Sequence, residues 1–208
     1  MELVNNPPPF LDTGETCGGF DFAAGGDENV FAAGQGNRFF IADHWADPDT
    51  VGARGRFRRK AAELGISADR IFADGDGLGL PIIDDFRAEG FPVHSYRGGF
   101  PADDTQAFVN LRAQAWRALA HAIEDKELIL DIDEDTIEQL VAPRLQTDAI
   151  GRVRIESKED MAKRGVCSPD RADALVMAWH ARRNSGLVRT LGAWYARPVS
   201  SKRAYGRY

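Results

Sequence analysis

The apolar and polar positions change period along the chain. From about Thr16 to Phe22 they follow a strand rhythm, with Phe20 and Phe22 on one face and Asp21 on the other. After Gly25-Gly26-Asp27-Glu28 a second strand runs from about Asn29 to Ala33. Gln35-Gly36-Asn37 then turns the chain into a third strand, Arg38 to His44. Three strands joined by short turns predict an antiparallel meander. Asp49-Thr50 caps a helix that reaches about Leu64 and stops at Gly65. From there helix and strand alternate. The short strand Arg70 to Ala73 ends at Asp74 and a glycine turn, a helix covers Leu80 to Glu89, and another strand covers Phe91 to Ser95. That alternation adds parallel strands to the meander and predicts an α/β fold with a central mixed sheet flanked by helices. Phe108, Leu111, Ala115, Leu119 and Ala122 keep a helical spacing, which predicts one long helix from Asp103 to Glu124. A small strand at Leu128 to Leu130, a helix at Glu134 to Val141 and a hairpin, Arg144 to Thr147 with Arg152 to Glu156, lead to a last helix from Ser168 to about Asn184.

This pattern places one domain at residues 15–184, behind a proline-rich arm or linker at 1–14 and ahead of a basic, loosely ordered tail at 185–208. The length of 208 residues suits one domain with its own core. No apolar run approaches the roughly 20 residues of a membrane span, so no membrane is expected as a partner. The N-terminal residues lack the basic start and apolar core of a signal peptide. Cys17 and Cys167 stand far apart, with no metal-type spacing, and read as two ordinary thiols in a reducing compartment.

A formal net charge of −6 argues against a nucleic-acid binder, but the charge is unevenly placed. Arg54, Arg56, Arg58, Arg59 and Lys60 cluster, and from Arg182 to Tyr208 there are basic residues and no acid. Local basic surfaces of this kind can hold a polyanion despite the overall sign.

The candidate chemistry lies in the carboxylates. Asp21 sits mid-strand, where an isolated buried charge is costly and needs a partner. Asp74 closes a parallel strand, the end where open sheets bind ligands. The glycine turn after it lacks the lysine and Ser/Thr of a P-loop. In the last helix Asp170 is explained by the helix dipole. Asp173 is not, because it is flanked by Ala172 and Ala174 in an otherwise apolar stretch; three positions apart, the two share a side. Carboxylates without a Cys/His cluster suit Mg²⁺ or Mn²⁺. Two such ions together can activate a water and stabilise a leaving oxygen in phosphodiester cleavage. The histidines His44, His94, His121 and His180 are scattered, and no glycine-flanked serine elbow is present.

Four motifs in order carry a resemblance. They are Gly19-Phe20-Asp21-Phe22 with its trailing Gly-Gly-Asp-Glu, Ala73-Asp74-Gly75-Asp76-Gly77-Leu78-Gly79, Asn110 to Trp116 (Asn-Leu-Arg-Ala-Gln-Ala-Trp), and Ile155-Glu156-Ser157-Lys158 through Ser168-Pro169-Asp170-Arg171-Ala172-Asp173-Ala174-Leu175. Over about Gly18 to His180 the chain resembles the RNase H-like nucleases, and within them the C-terminal nuclease domain of the large terminase subunit of tailed bacteriophages. The resemblance implies an endonuclease that cuts concatemeric viral DNA during genome packaging with two Mg²⁺ or Mn²⁺ ions. It implies Asp21, Asp74 and Asp173 as catalytic, metal-binding acids, Asp170 as a fourth, Asp27 as an accessory acid and Asp76 as a weaker candidate. Double-stranded DNA is the implied partner, contacted by Arg54, Arg56, Arg58, Arg59, Lys60, Arg152, Arg154 and Lys158. A portal protein, the small terminase subunit and a packaging ATPase domain are implied partners in the host cytoplasm. No Walker-type sequence occurs, so an excised nuclease domain or a polypeptide without the motor is expected. A Holliday-junction resolvase or transposase-type member of the same fold, and a catalytically silent RNase H-like module that binds packaging partners, are the alternatives.

Overall fold

The computed structural model describes residues 7–23, 27–77 and 79–184; the expected basic tail at 185–208 lies outside them. The strand rhythm read at Phe20-Asp21-Phe22 organises the whole. β1 (Thr16–Asp21) pairs antiparallel with β2 (Asn29–Gln35), placing Phe20 opposite Phe31 and Asp21 opposite Val30. β2 pairs in turn with β3 (Arg38–Trp45), also antiparallel. After α1 (Thr50–Glu63), β4 (Ile71–Asp74) joins β1 in parallel. α2 (Gly79–Ala88) follows, and β5 (His94–Tyr96) joins β4 in parallel. α3 (Leu111–Glu124) leads to β6 (Ile129–Asp131), which runs parallel to β3 at the far edge. The sheet order is therefore β5-β4-β1-β2-β3-β6. α4 (Glu134–Val141), the hairpin β7 (Leu145–Thr147) with β8 (Val153–Ile155), α5 (Lys158–Lys163) and α6 (Asp170–Asn184) complete the described residues.

Alternation along the strands divides the core in two. Phe20, Phe31, Phe57, Ile71, Ile83 and Phe86 fill the face covered by α1 and α2, with Phe20 stacked on Phe57 at 4.3 Å between ring centroids. Val30, Phe39, Tyr96, Trp116, Leu119, Leu175 and Met177 fill the other face, beneath α3 and α6. Because Phe20 faces the first layer, Asp21 faces the second, towards α6. α6 is buried almost all round, which is why Ala172, Ala174 and Ala178 suit it. It approaches β1 so closely that a Cβ on Gly19 would overlap the Ala174 carbonyl oxygen and stand 2.6 Å from the Ala178 amide nitrogen. Only glycine admits that contact.

The expected boundaries move in four places. α3 starts at Leu111, not Asp103. Asp104 instead caps a short turn by accepting from the Gln106 and Ala107 amides, and Asn110 caps the helix by accepting from Ala113. The strand expected at Phe91 to Ser95 is shifted to His94–Tyr96, where it pairs with β4. Ser157 caps a helix, α5, that the sequence reading left unassigned. The last helix, expected from Ser168, starts at Asp170, and Ser168 gives its hydroxyl to the Asp170 carboxylate.

Candidate metal centre

β1 and β4 are parallel neighbours, with Phe20 beside Ala73, so Asp21 and Asp74 end adjacent strands on the α6 side. Tyr96 lies beside Asp74 on β5. α6 supplies Asp170 and Asp173 from its first turn, and the close contact at Gly19 sets their height above β1. The four acids thus come from three elements and meet at one end of the sheet.

What they meet is Lys158, at the start of α5. Its ammonium is 3.1 Å from Asp170 Oδ1, 3.5 Å from Asp173 Oδ2 and 3.8 Å from Asp21 Oδ2. Burial opposes charging this lysine, yet Asp21, Asp173 and Asp170 together raise its pKa above the ordinary value. Asp21 is 3% exposed, and its Oδ2 has no hydrogen-bond partner. Burial first, and the neighbouring charges of Asp74, Asp173 and Asp170, push its carboxyl well above the usual range, against the pull of Lys158. Asp74 is pushed up to about 6, chiefly by burial, while the Asp76 amide that donates to its Oδ1 at 3.0 Å works the other way. Asp170 Oδ2 accepts from the Glu28 amide at 3.1 Å.

Among the described residues, no three His, Cys, Asp or Glu side chains form a ready metal cage as they stand; Asp21, Asp170 and Asp173 each present one oxygen to the ammonium. The donor set nonetheless fits a hard divalent cation. It is all carboxylate oxygen, and one of those oxygens is buried and unsatisfied. A cation and the lysine ammonium compete for the same atoms.

The cleft beside the acids has a volume of about 480 Å³, and its lining includes Asp74, Tyr96, Gly98, Asn110, Lys158 and Asp173. Two further side chains reach Asp173 from α3. Arg112 donates to it from Nε at 3.3 Å and Nη2 at 3.1 Å, and Trp116 donates from Nε1 at 3.0 Å. Sequence reasoning had these two residues in a motif but gave them no role. Their spacing of four on one helix face was the available signal.

The other expected site residues are placed elsewhere. Asp27 is exposed, and among the described residues it makes none of the contacts that gather the four acids. The basic cluster sits on α1, on the opposite face of the sheet from α6 and the acids. Most of its charge is already engaged. Arg54 pairs with Asp85 and Glu89, Arg56 with Asp43 at 2.7 Å, Arg58 with Glu89 at 3.0 Å and Lys60 with Glu63 at 2.8 Å. Arg59 is exposed. Arg152 pairs with Asp148 on the hairpin, and Arg154 approaches Asp160 of α5 at 3.7 Å, near the cleft wall formed by Ile155 and Ser157. Lys158, expected to contact DNA, is instead bound among the acids.

A mixed sheet with a three-strand meander, parallel additions on both sides and acids at the ends of β1 and β4 and on the last helix defines the RNase H-like fold. Within it, solved structures similar to this chain include nuclease domains of phage large terminase subunits. A mutant nuclease domain of the large terminase subunit gp2 of bacterial virus Sf6, with manganese and beta-thujaplicinol, superposes with a TM-score of 0.71 at 22% identity over 82% of this chain and 90% of that one. The same domain without the mutation gives 0.65 at 21% identity, over 79% and 87%. The large terminase nuclease from thermophilic phage G20c with bound magnesium gives 0.60 at 18% identity, over 79% and 80%. No family model and no curated protein matches the sequence.

Proposed function

We propose that this chain is a divalent-metal-dependent endodeoxyribonuclease that cuts concatemeric viral DNA during genome packaging. The observation that carries the reading is the convergence of Asp21, Asp74, Asp170 and Asp173, from three elements, in one cluster beside the cleft that Asp74 and Asp173 line. Asp21, whose Oδ2 is buried and without a hydrogen-bond partner, would hold Mg²⁺ or Mn²⁺ together with Asp74, Asp173 and Asp170. Bound ions of this kind activate a water and stabilise the leaving 3′ oxygen in phosphodiester hydrolysis.

The chain's own residues do the rest. In the absence of metal, Lys158 neutralises acids that would otherwise repel one another and any DNA phosphate. Lys158 also lines the cleft, where its ammonium would face a bound phosphate. Gly98, Asn110 and Ser157 shape the cleft walls for a sugar-phosphate backbone. Arg154 approaches Asp160 of α5, the helix that opens on the cleft-lining Lys158, whereas the α1 cluster stands behind the sheet. We therefore place the first DNA contacts on the hairpin. By likeness to the terminase nuclease domains, a packaging ATPase domain, a portal protein and a small subunit are the partners, and the host cytoplasm the setting.

The test is nicking of supercoiled plasmid in Mn²⁺. Wild type should relax and linearise the plasmid, and Asp21→Asn and Asp173→Asn should do neither. Undiminished cleavage by both variants would remove the reading. Calorimetry showing no Mn²⁺ binding by wild type would favour a catalytically silent module.

A further inference from the structure

We propose that Arg112 and Trp116 are positioning residues for Asp173: they hold Oδ1 so that Oδ2 is the oxygen presented to a divalent cation. This rests on the nuclease reading of the cleft. Three N–H groups crowd one oxygen: Arg112 Nε, Arg112 Nη2 and Trp116 Nε1 all donate to Oδ1. Oδ2 has only a long approach from Arg112 Nη2 at 3.4 Å and the Lys158 ammonium at 3.5 Å. One oxygen is thus saturated and turned inward, and the other faces the acid cluster.

The two donors are themselves fixed. Trp116 is 7% exposed in the core layer beneath α6, and the Arg112 guanidinium lies over its ring at 5.4 Å. Arg112 Nη1 donates to the Glu156 carbonyl at 3.0 Å. The Glu156 carboxylate is held by Arg164 through two bonds of 2.7 and 2.6 Å and by the Arg144 amide. Asn110 sets the start of α3 and so the rotation that aims both side chains. A carboxylate held in this way keeps Oδ2 at 3.5 Å from the Lys158 ammonium instead of closing further onto it. Freed, it would form a tight ion pair with that ammonium and be lost to a cation. The motif from Asn110 to Trp116 thereby gains a single physical role.

Coulomb repulsion alone makes the opposite prediction. Arg112 is a positive charge beside the cluster, so removing it should tighten cation binding. Positioning predicts that Arg112→Gln weakens Mn²⁺ binding by about threefold or more in calorimetry, an effect carried through Asp173 and therefore absent in an Asp173→Asn background. Plasmid cleavage at saturating Mn²⁺ should fall by about tenfold or more, a loss carried in kcat. Arg112→Lys, which keeps the charge but not the fork, should recover part of the loss. If Arg112→Gln does not fold, Trp116→Phe reads the same change in direction while leaving a ring in the core. Tighter or unchanged Mn²⁺ binding in Arg112→Gln, or an effect equally large in Asp173→Asn, overturns the positioning role alone. A wild-type chain that neither binds Mn²⁺ nor cuts overturns the nuclease reading and this role with it.

Discussion

Replacing Lys158 by alanine should destabilise the metal-free protein and tighten its grip on Mn²⁺ at the same time. The ammonium faces three carboxylates at 3.1 to 3.8 Å. Each such pair is worth between about 1 kcal/mol in bulk water and about 5 kcal/mol at an effective dielectric near 20. Breaking a buried pair costs about 3–5 kcal/mol, because the surviving charge is left uncompensated. Asp21 meets that description, but the Lys158 side chain is 43% exposed, which screens its contribution. A loss of about 2 kcal/mol is therefore expected, a fall in Tm of about 4–8 °C for a domain of this size. The same substitution removes the competitor for the metal oxygens, so Mn²⁺ should bind about tenfold more tightly, a gain of about 1.4 kcal/mol. Thermal unfolding in EDTA and in Mn²⁺, with calorimetric titration, reads both effects. A variant as stable as wild type in EDTA and with the same Mn²⁺ affinity would refute the idea that Lys158 stands in for the cation.

Two further expectations follow from the same geometry. Asp74 keeps its proton longer when folded, its carboxyl being pushed up from 3.8 to about 6. Its contribution to stability is full below about pH 4 and is lost as pH rises through about 6. In EDTA, wild type should accordingly lose about 2 kcal/mol relative to Asp74→Asn between pH 4 and pH 6.5 in denaturant titrations; parallel curves for the two proteins would contradict the raised pKa. Gly19→Ala places a methyl group against the Ala174 carbonyl and the Ala178 amide, backbone atoms that cannot rotate away. It should cost about 3 kcal/mol or more and reduce Mn²⁺ binding by displacing Asp173, whereas an unchanged Tm would show that α6 can lift freely.

The acids were legible because each broke a local rule. Asp21 interrupts an apolar strand between two phenylalanines, Asp173 interrupts an apolar helix, and Asp74 precedes a glycine turn at a strand end. Pattern alone could flag all three, since the anomaly lies within a few residues. Lys158 breaks no such rule. It is an ordinary first-turn residue after a serine cap, and its partners are 12 to 137 positions away. Arg112 and Trp116 were hidden likewise, looking like normal surface and core residues of an amphipathic helix. The arginines of α1 misled for the converse reason. In the sequence they form a run of like charge, but Asp85 of α2, Glu89 just after it and Asp43 of β3 come to meet them only in the folded chain. The start of α3 was set too early because Phe108 keeps helical phase while pairing in a β-bridge with Val153.

The seat of α6 on Gly19 joins the opening strand to the closing helix. A ribosome reaches Asp173 only after most of the described chain has emerged, and the cluster cannot assemble until that helix lands on its strand. A nascent or truncated fragment would carry Asp21 and Asp74 without their counterparts, leaving it unable to gather the cations that cutting requires. If the proposed function holds, synthesis itself would act as the safety catch on the centre.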